Sequence, residues 1–467
     1  MTRLNSLLLL AIGAGVLVLL VVVVVTPRVS DELSSDSNPS DTSSATSISS
    51  PTPEVDDLTG KLLEVATGAI TPLWGPDRHG GMLEFSADGR TLAFATRPNS
   101  ASPPYTWQVF AVSLSHGPSQ ATLVGNGSVP KPSPDGKYLG FGANLSQTVW
   151  QLSVFQPDGG VQRLDPAAGE AHWSPNGRWL VYRSRYQADN RDTSVVAVET
   201  GTWSSRVLGL TYPCQCDYAL APLWSADSRW VVYRYAIERT TFAVEVESGH
   251  REIFGPGISP KAWAPQGATL ATVEGGSLVL RDLDIDRVTT VGQDAVDGSE
   301  VSWSPDGRAI AFPQQANGEE WVGLVDRAGN ELIRVDVPAQ FIGWSGDSTH
   351  VALAPGRHNG RSNEGGIEIY NVVTGQKLQS LAAARGRAAW SPVGKVLAYA
   401  SAPEEGLTPC RWPTITQSWQ VHLLDLSADT DRSITSVQAG CHTGGPDLLW
   451  SPDGRFLAIC EVCKLGL

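Results

Sequence analysis

The chain has 467 residues, of which 41% are hydrophobic and 18% charged, and a net charge of −14 at pH 7. This length exceeds the roughly 100–200 residues of a typical single core, which predicts several domains or one large repeat fold. Residues 29–58 contribute seven acidic side chains and no Lys or Arg, and the remainder of the chain is still acidic. An acidic surface argues against a nucleic-acid-binding protein, because that function needs a basic footprint.

The N-terminus contains a long uncharged stretch, Leu7–Val25. With its neutral flanks the stretch exceeds about 20 residues, enough for a helix that crosses a ~30 Å hydrocarbon core. A cleaved signal peptide is the alternative, but its apolar region is usually about 7–15 residues and ends at a small-residue cleavage site. No such site follows here. Residues 1–27 are therefore predicted to form a transmembrane helix that acts as an uncleaved signal anchor, with the C-terminus on the extracytoplasmic side.

A polar segment, residues 28–58, follows the predicted anchor. Ser, Thr, Pro and Asp dominate it, and large apolar residues are nearly absent. Such a composition cannot bury enough surface to offset the entropy of ordering. The segment is predicted to be a disordered linker that holds a folded domain, residues 59–467, away from the membrane.

A repeated motif dominates the rest of the chain. Nine segments align, most of them variants of W-S-P-D-G-R followed by an apolar run, at spacings of 39 to 60 residues. They begin at Phe85, Pro132, Trp173, Trp224, Trp263, Trp303, Trp344, Trp390 and Trp450. Seven of the nine begin with Trp, so the repeat cannot be a chance similarity.

Each motif predicts a tight turn between two strands. Pro presets φ at the first central position of the turn, Asp can bond nearby backbone, and Gly takes the left-handed position at the end. A third and a fourth strand follow each motif, for example Ser194–Glu199 and Ser205–Leu210. Four antiparallel strands in about 45 residues are typical of one blade of a β-propeller. The repeated Trp is expected to pack between blades, which is a structural role.

The motif resembles the TolB-type, WD-like propeller repeat, which also occurs in the propeller domains of prolyl-oligopeptidase-like enzymes. The resemblance covers residues 59–467 and implies an all-β propeller. It also adds some weight to a role in a cell-envelope complex, although propellers of this type serve many functions.

Ring closure is predicted from the two ends of the repeat region. The last motif supplies two strands, and residues 61–73 supply two more with a Gly turn between them. Together they would form one shared blade, which removes open sheet edges. The predicted ring therefore has eight or nine four-stranded blades.

Long connections are concentrated at one end of the predicted blades, opposite the motif turns. They join second to third strands or one blade to the next, at 97–106, 185–193, 211–221, 356–366, 401–417 and 432–446. Binding residues favour loops on a rigid scaffold, so this end could be a recognition surface. Tolerated insertions would give the same pattern, and the sequence does not decide between the two.

The six cysteines, Cys214, Cys216, Cys410, Cys441, Cys460 and Cys463, all map near that end. An even number of cysteines outside the cytoplasm favours disulfides. Cys410–Cys441 is the favoured pair, Cys460–Cys463 can close locally, and Cys214–Cys216 would form a strained small ring. A zinc site competes as an interpretation, but zinc needs four ligands, and His442 is the only histidine adjacent to one of these cysteines.

No catalytic motif is evident. The sequence lacks a G-x-S-x-G elbow, an H-E-x-x-H helix and a phosphate-binding loop. Histidines such as His79 and His172 are scattered among the motifs, which neither supports nor excludes a site at the ring axis. The expected function is therefore a non-enzymatic platform, without metal or cofactor, that binds a protein, peptide or cell-wall polymer. Two alternatives remain open: the propeller component of a hydrolase whose catalytic domain is on another chain, or a small-ligand sensor.

Overall fold

A computed structural model describes residues 60–460 apart from 76–77, 99–106, 145–149, 165–166, 185–192, 212–221, 236–239, 298–299, 337–338, 356–365, 385–386, 402–415 and 441–444. These residues belong to one compact unit, residues 54–467. The predicted anchor, 1–27, and the predicted linker, 28–58, lie entirely outside them. Within the described ranges, no helix is long and apolar enough to span a membrane.

The described residues form β-strands that follow one another as antiparallel hairpins. The first nine are β1 Lys61–Glu64, β2 Ile70–Pro72, β3 Arg78–Phe85, β4 Thr91–Pro98, β5 Gln108–Ser113, β6 Thr122–Pro132, β7 Leu139–Asn144, β8 Trp150–Phe155 and β9 Val161–Arg163. The next twelve are β10 Ala167–Trp173, β11 Trp179–Ser184, β12 Thr193–Glu199, β13 Ser205–Thr211, β14 Leu223–Trp224, β15 Trp230–Tyr235, β16 Thr240–Glu245, β17 Arg251–Phe254, β18 Ile258–Trp263, β19 Thr269–Glu274, β20 Ser277–Asp282 and β21 Arg287–Gly292.

The remaining strands complete the repeat. They are β22 Ser302–Trp303, β23 Ala309–Ala316, β24 Glu319–Asp326, β25 Glu331–Val335, β26 Ala339–Trp344, β27 His350–Pro355, β28 Ile367–Asn371, β29 Lys377–Leu381, β30 Ala388–Trp390, β31 Val396–Ser401, β32 Thr416–Asp425, β33 Thr430–Gly440, β34 Asp447–Trp450 and β35 Phe456–Cys460.

The strands pair into seven sheets of four strands and one sheet of seven. The seven-stranded sheet runs from β3 to β9, and its central strand β6 pairs with β5 on one side and β7 on the other. β6 thus serves as the fourth strand of one blade and the first strand of the next. The described residues therefore form nine four-stranded blades, the higher of the two predicted numbers.

We number the blades in chain order. Blade 1 is β3–β6, blade 2 is β6–β9, and blades 3 to 8 follow as consecutive groups of four from β10 to β33. Blade 9 has the order β2-β1-β35-β34 and so combines both ends of the repeat region.

The predicted closure of the ring is confirmed. Leu62 in β1 pairs with Ala458 in β35. On one side of blade 9, Leu62 and Phe456 pack in one apolar cluster with Phe94 of blade 1. On the other side, residues of β34 and β35 pack with blade 8. Blade 9 therefore joins the first blade to the eighth.

A buried serine explains the turn that recurs between first and second strands. The Ser174 hydroxyl donates to Asn176 Oδ1 at 2.8 Å and accepts from the Trp179 backbone N–H at 2.9 Å. The same pair of bonds, with Asp in place of Asn, recurs at Ser86, Ser133, Ser225, Ser304, Ser345 and Ser451. The hydroxyl satisfies a backbone donor that would otherwise be buried without a partner.

One predicted loop is wrong. Residues 432–446 were expected to be a blade-to-blade loop, but β33 continues to Gly440 and pairs with β32 back to Thr416. Its buried apolar residues alternate with more exposed ones, as Val437 and Ala439 show. This period of two is the strand signal, and the many polar residues of the segment concealed it.

Candidate functional site

The first strands of the blades lie nearest the axis of the ring. First strands of successive blades contact one another, as β10 with β14 and β14 with β18 do. In a propeller this geometry places them around the central channel. Side chains on these strands can therefore approach one another although they are distant in sequence.

Five of these inner strands contain a β-bulge. Relative to their second-strand partners, β3, β6, β18 and β26 have one extra residue and β10 has two. In β6, Val129 takes a positive φ of 54° within the bulge. Bulges redirect side chains and are frequent next to functional sites. Here they recur along the channel wall.

In five of the nine blades, the residue before the first position of the motif has the same backbone environment. Its carbonyl accepts the indole N–H of the next blade's motif Trp: Trp173 donates to Lys131 O at 2.8 Å and Trp224 to His172 O at 3.0 Å. Trp263, Trp303 and Trp450 make the same bond to Leu223, Ala262 and Ala389. The backbone at this position is therefore held in the same way in these five blades, while the side chain of the residue differs from blade to blade.

Blades 1 to 3 place ionisable groups at this position: Glu84, Lys131 and His172, which we call the charged arc. Lys131 Nζ lies 2.7 Å from Glu84 Oε2, and the Lys131 side chain is only 7% exposed. This ion pair joins the inner strands of two neighbouring blades. Leu, Ala, Ser or Gly occupies the position in the other six blades. The ionisable groups are thus confined to one sector of the ring.

The surroundings of His172 keep its ring neutral. Burial, together with the positive charges of Lys131 and Arg183, lowers the pKa of His172 to about 4. At pH 7 the imidazole therefore carries no charge. A neutral imidazole has one donor and one acceptor nitrogen, so it can recognise a polar group of either kind.

A second buried cation lies in blade 5. Lys261 is the extra residue of the β18 bulge, and its side chain is 8% exposed. Asp297 Oδ1 lies 3.9 Å from Lys261 Nζ. Burial lowers the pKa of Lys261, Asp297 opposes this effect, and Arg234 of blade 4 adds to it.

A second ion pair joins the inner ends of blades 8 and 9. Arg387, just before β30, lies 2.5 Å from Asp447 at the start of β34, and Asp447 is 5% exposed. The Arg387 side chain is 52% exposed, so the pair stays in contact with solvent through the arginine. Its position at the inner ends of two neighbouring blades suits recognition of a polar or charged group.

The aromatic residues that begin the motifs contribute to the packing of the fold. The indoles of Trp173, Trp224, Trp263, Trp303 and Trp450 bond to the preceding blade, whereas Trp344, Trp390 and Phe85 are buried without such a bond among the described residues. None of them forms an aromatic cage with another.

Of the six cysteines, Cys460 alone lies within the described residues. It occupies the end of β35, is 3% exposed and is disulfide-bonded. Cys214, Cys216, Cys410, Cys441 and Cys463 lie outside these residues, so the pairings Cys410–Cys441, Cys460–Cys463 and Cys214–Cys216 stay predictions. Over the same ranges, no cluster of three His, Cys, Asp or Glu side chains could hold a metal ion.

Sequence reasoning did not single out the charged arc. The signal was present, because reading the residue before the first position of each motif gives Glu, Lys, His, Leu, Ala, Ser, Gly, Ala and Leu in blade order. Without the structure, nothing indicated that this column lies on the axis.

No family model matches the chain, and no curated protein matches it. Three solved structures of similar fold are instructive. A eukaryotic initiation factor is 17% identical, with a TM-score of 0.55, over 79% of this chain and 89% of that chain. Prolyl endopeptidases are 13% identical, with a TM-score of 0.43, over 80% and 56%. TolB from Acinetobacter baumannii is 14% identical, with a TM-score of 0.30, over 60% and 62%. Of these three, the initiation factor has a TM-score above 0.5, and at 17% identity that likeness concerns the fold alone. Together with the nine four-stranded blades and the shared blade 9, it shows that the chain is a β-propeller.

Proposed function

We propose that this protein is a membrane-tethered, extracytoplasmic β-propeller that binds a protein or polymer partner at the axis of its ring. The charged arc carries the proposal. It places an ion pair and a neutral histidine on three consecutive inner strands. Structural stability does not require these side chains, since six other blades manage with small or apolar ones at the same position.

The partner is proposed to approach from the end opposite the motif turns. Eight of the nine connections between first and second strands have five residues. Connections between second and third strands vary from two residues, between β19 and β20, to fourteen, between β31 and β32. One end of the ring is therefore uniform and the other variable, which is the distribution expected when loops recognise a partner.

The tether is proposed from the sequence. Leu7–Val25 has the length and apolarity of a membrane span, and residues 28–58 have the composition of an extended linker. An extracytoplasmic location also accords with the disulfide at Cys460, because such bonds persist mainly in oxidising compartments.

Retention of a partner by the soluble domain tests the proposal. Residues 59–467, with the cysteines oxidised, serve as bait on detergent extracts of the native cells. A second bait has residues 402–415 replaced by a short Gly-Ser link, and a control bait carries Arg308→Ala on the exposed motif-turn end. A partner retained by the first and control baits but lost from the second supports the proposal.

Three other results would contradict the proposal or favour another function. Equal retention by all three baits would contradict a site at the variable end. A retained chain with hydrolase activity would favour the alternative role as the propeller component of a hydrolase. A bait that retains no macromolecule, but is thermally stabilised by a small solute, would favour the sensor function.

A further inference from the structure

Blade 8 contains a network of ionisable and hydroxyl side chains on one face of its sheet. Ser401 ends β31, His422 lies in β32 and Asp431 in β33, so three neighbouring strands supply one residue each. Tyr399 lies directly opposite His422 in the β31–β32 register. Tyr399 packs in one apolar cluster with residues of β28, so this face of the sheet is the one towards blade 7.

The contacts have the connectivity of a catalytic triad. Ser401 Oγ lies 3.0 Å from His422 Nε2. On the other side of the imidazole, His422 Nδ1 lies 3.6 Å from Asp431 Oδ1. A carboxylate at Nδ1 favours the tautomer that carries its proton there, which leaves Nε2 free to accept the Ser401 proton.

Two further contacts hold the imidazole and the carboxylate in place. The Tyr399 hydroxyl donates to Asp431 Oδ2 at 2.6 Å. The Tyr399 and His422 rings are stacked, with centroids 4.8 Å apart and planes inclined by 8°. Tyr399 therefore positions both members of the His–Asp pair.

Exposure along the network decreases from the acid to the hydroxyl. The Asp431 side chain is 36% exposed and that of His422 is 21% exposed, whereas Ser401 as a whole residue is 7% exposed. Solvent therefore reaches Asp431 and His422, whereas the Ser401 hydroxyl lies at the buried end of the network. A nucleophile shielded in this way reacts with small acyl donors more readily than with folded proteins.

We infer that Ser401 is an activated nucleophile, with His422 as its general base and Asp431 as a positioning residue, and that it accepts acyl groups from small carboxylic esters. In this step Ser401 Oγ bonds to the acyl carbon while the ester C–O bond breaks. The Ser401 proton passes to His422 Nε2 and then to the departing alkoxide. Water releases the acid by the reverse sequence. The inference goes beyond the proposed binding function and does not depend on it.

Labelling of the oxidised full-length protein with a fluorophosphonate probe tests the inference. We expect one probe per chain, located at Ser401 by peptide mass spectrometry, and none on Ser401→Ala. His422→Phe keeps an aromatic ring against Tyr399 but removes the base, and should slow labelling about a hundredfold. Ser433→Ala, whose hydroxyl bonds Gln420, is the matched control and should label at the wild-type rate.

Asp431→Asn separates positioning from mere structural support. Loss of the carboxylate should slow labelling, and Asp431→Glu, which restores a carboxylate, should recover part of the rate. Thermal melts confirm that each variant is folded. A wild-type protein that is not labelled at Ser401, or a folded His422→Phe variant labelled as fast as wild type, would overturn the inference.

Discussion

The serine of the motif is as important to the turn as the better-known Pro, Asp and Gly. Its hydroxyl lies inside the turn, donates to the acidic or amide side chain two residues on, and accepts a backbone N–H five residues on. The sequence showed that the serine recurs, but the turn rules used to interpret it assign no role to that position. The structure supplies the reason, which is satisfaction of a buried backbone donor.

Replacing one of these serines should destabilise the domain measurably. Ser174→Ala removes two hydrogen bonds and leaves the buried Trp179 N–H without its partner, which should cost about 1–3 kcal/mol. Ser205→Ala, at an exposed position of β13, should cost less than about 0.5 kcal/mol. Urea unfolding followed by tryptophan fluorescence measures both values, and equal costs would contradict the assigned role.

His172 predicts a pH dependence of stability. The folded ring has a pKa of about 4 against an ordinary value of 6.5. Between these values the unfolded chain binds a proton that the folded chain does not, so the free energy of unfolding falls as the pH falls from 6.5 to 4. His172→Gln, which cannot titrate, should lose less stability over this interval. Parallel curves for wild type and variant, from urea unfolding at each pH, would contradict the account.

At the level of elements, the indole bonds join neighbouring blades into one structure. Each runs from a motif Trp to the inner strand of the preceding blade, so one side chain both fills the interface and fixes its register. The pattern is incomplete, because within the described residues the indole nitrogens of Trp344 and Trp390 are buried without a hydrogen-bond partner.

This difference provides a matched pair of substitutions. Trp450→Phe loses the 2.9 Å bond to Ala389 O and should cost about 1–2 kcal/mol more than Trp390→Phe, which removes no bond among the described residues. Both variants lose similar apolar area. Thermal unfolding of the two proteins measures the difference, and a larger cost for Trp390→Phe would be the contrary result.

The sequence predicted the blades well where a motif marked them and less well elsewhere. The W-S-P-D-G-R turn located the first two strands of each blade because its turn chemistry is local. β6 was harder, because Gly125, Gly127 and Pro130 read as breakers although the strand runs through them. Gly127 is needed there, since a Cβ would lie 2.4 Å from Gly142 O. The charged arc is a product of tertiary structure: the column of residues before the motifs can be read in the sequence, but no local signal shows that this column lies on the axis.

At the scale of the whole molecule, closure through blade 9 should decide whether the ring folds. Removing residues 1–58 keeps β1 and β2, and we expect a monomeric, cooperatively folding domain. Removing residues 1–73 deletes both strands, exposes the edge of β35 and uncovers Phe456 and its remaining apolar neighbours. This second protein should aggregate or lose cooperativity. Size-exclusion chromatography and circular dichroism compare the two, and identical behaviour would contradict closure.

The charged arc is the feature that connects this closed ring to a binding function, and it can be neutralised without loss of bulk. Lys131→Met with Glu84→Gln removes both charges of the 2.7 Å pair. Lys377→Met with Glu368→Gln makes the same changes at a 2.9 Å pair on the outer strands of blade 7. The second double variant controls for any general effect of losing an ion pair.

Titration of the purified partner against these two proteins and the wild type is the most direct measurement. We expect the arc variant to bind at least tenfold more weakly, while the blade 7 variant binds like the wild type and both melt near the wild-type temperature. Equal affinities for all three proteins would show that the axis of the ring is not where the partner binds.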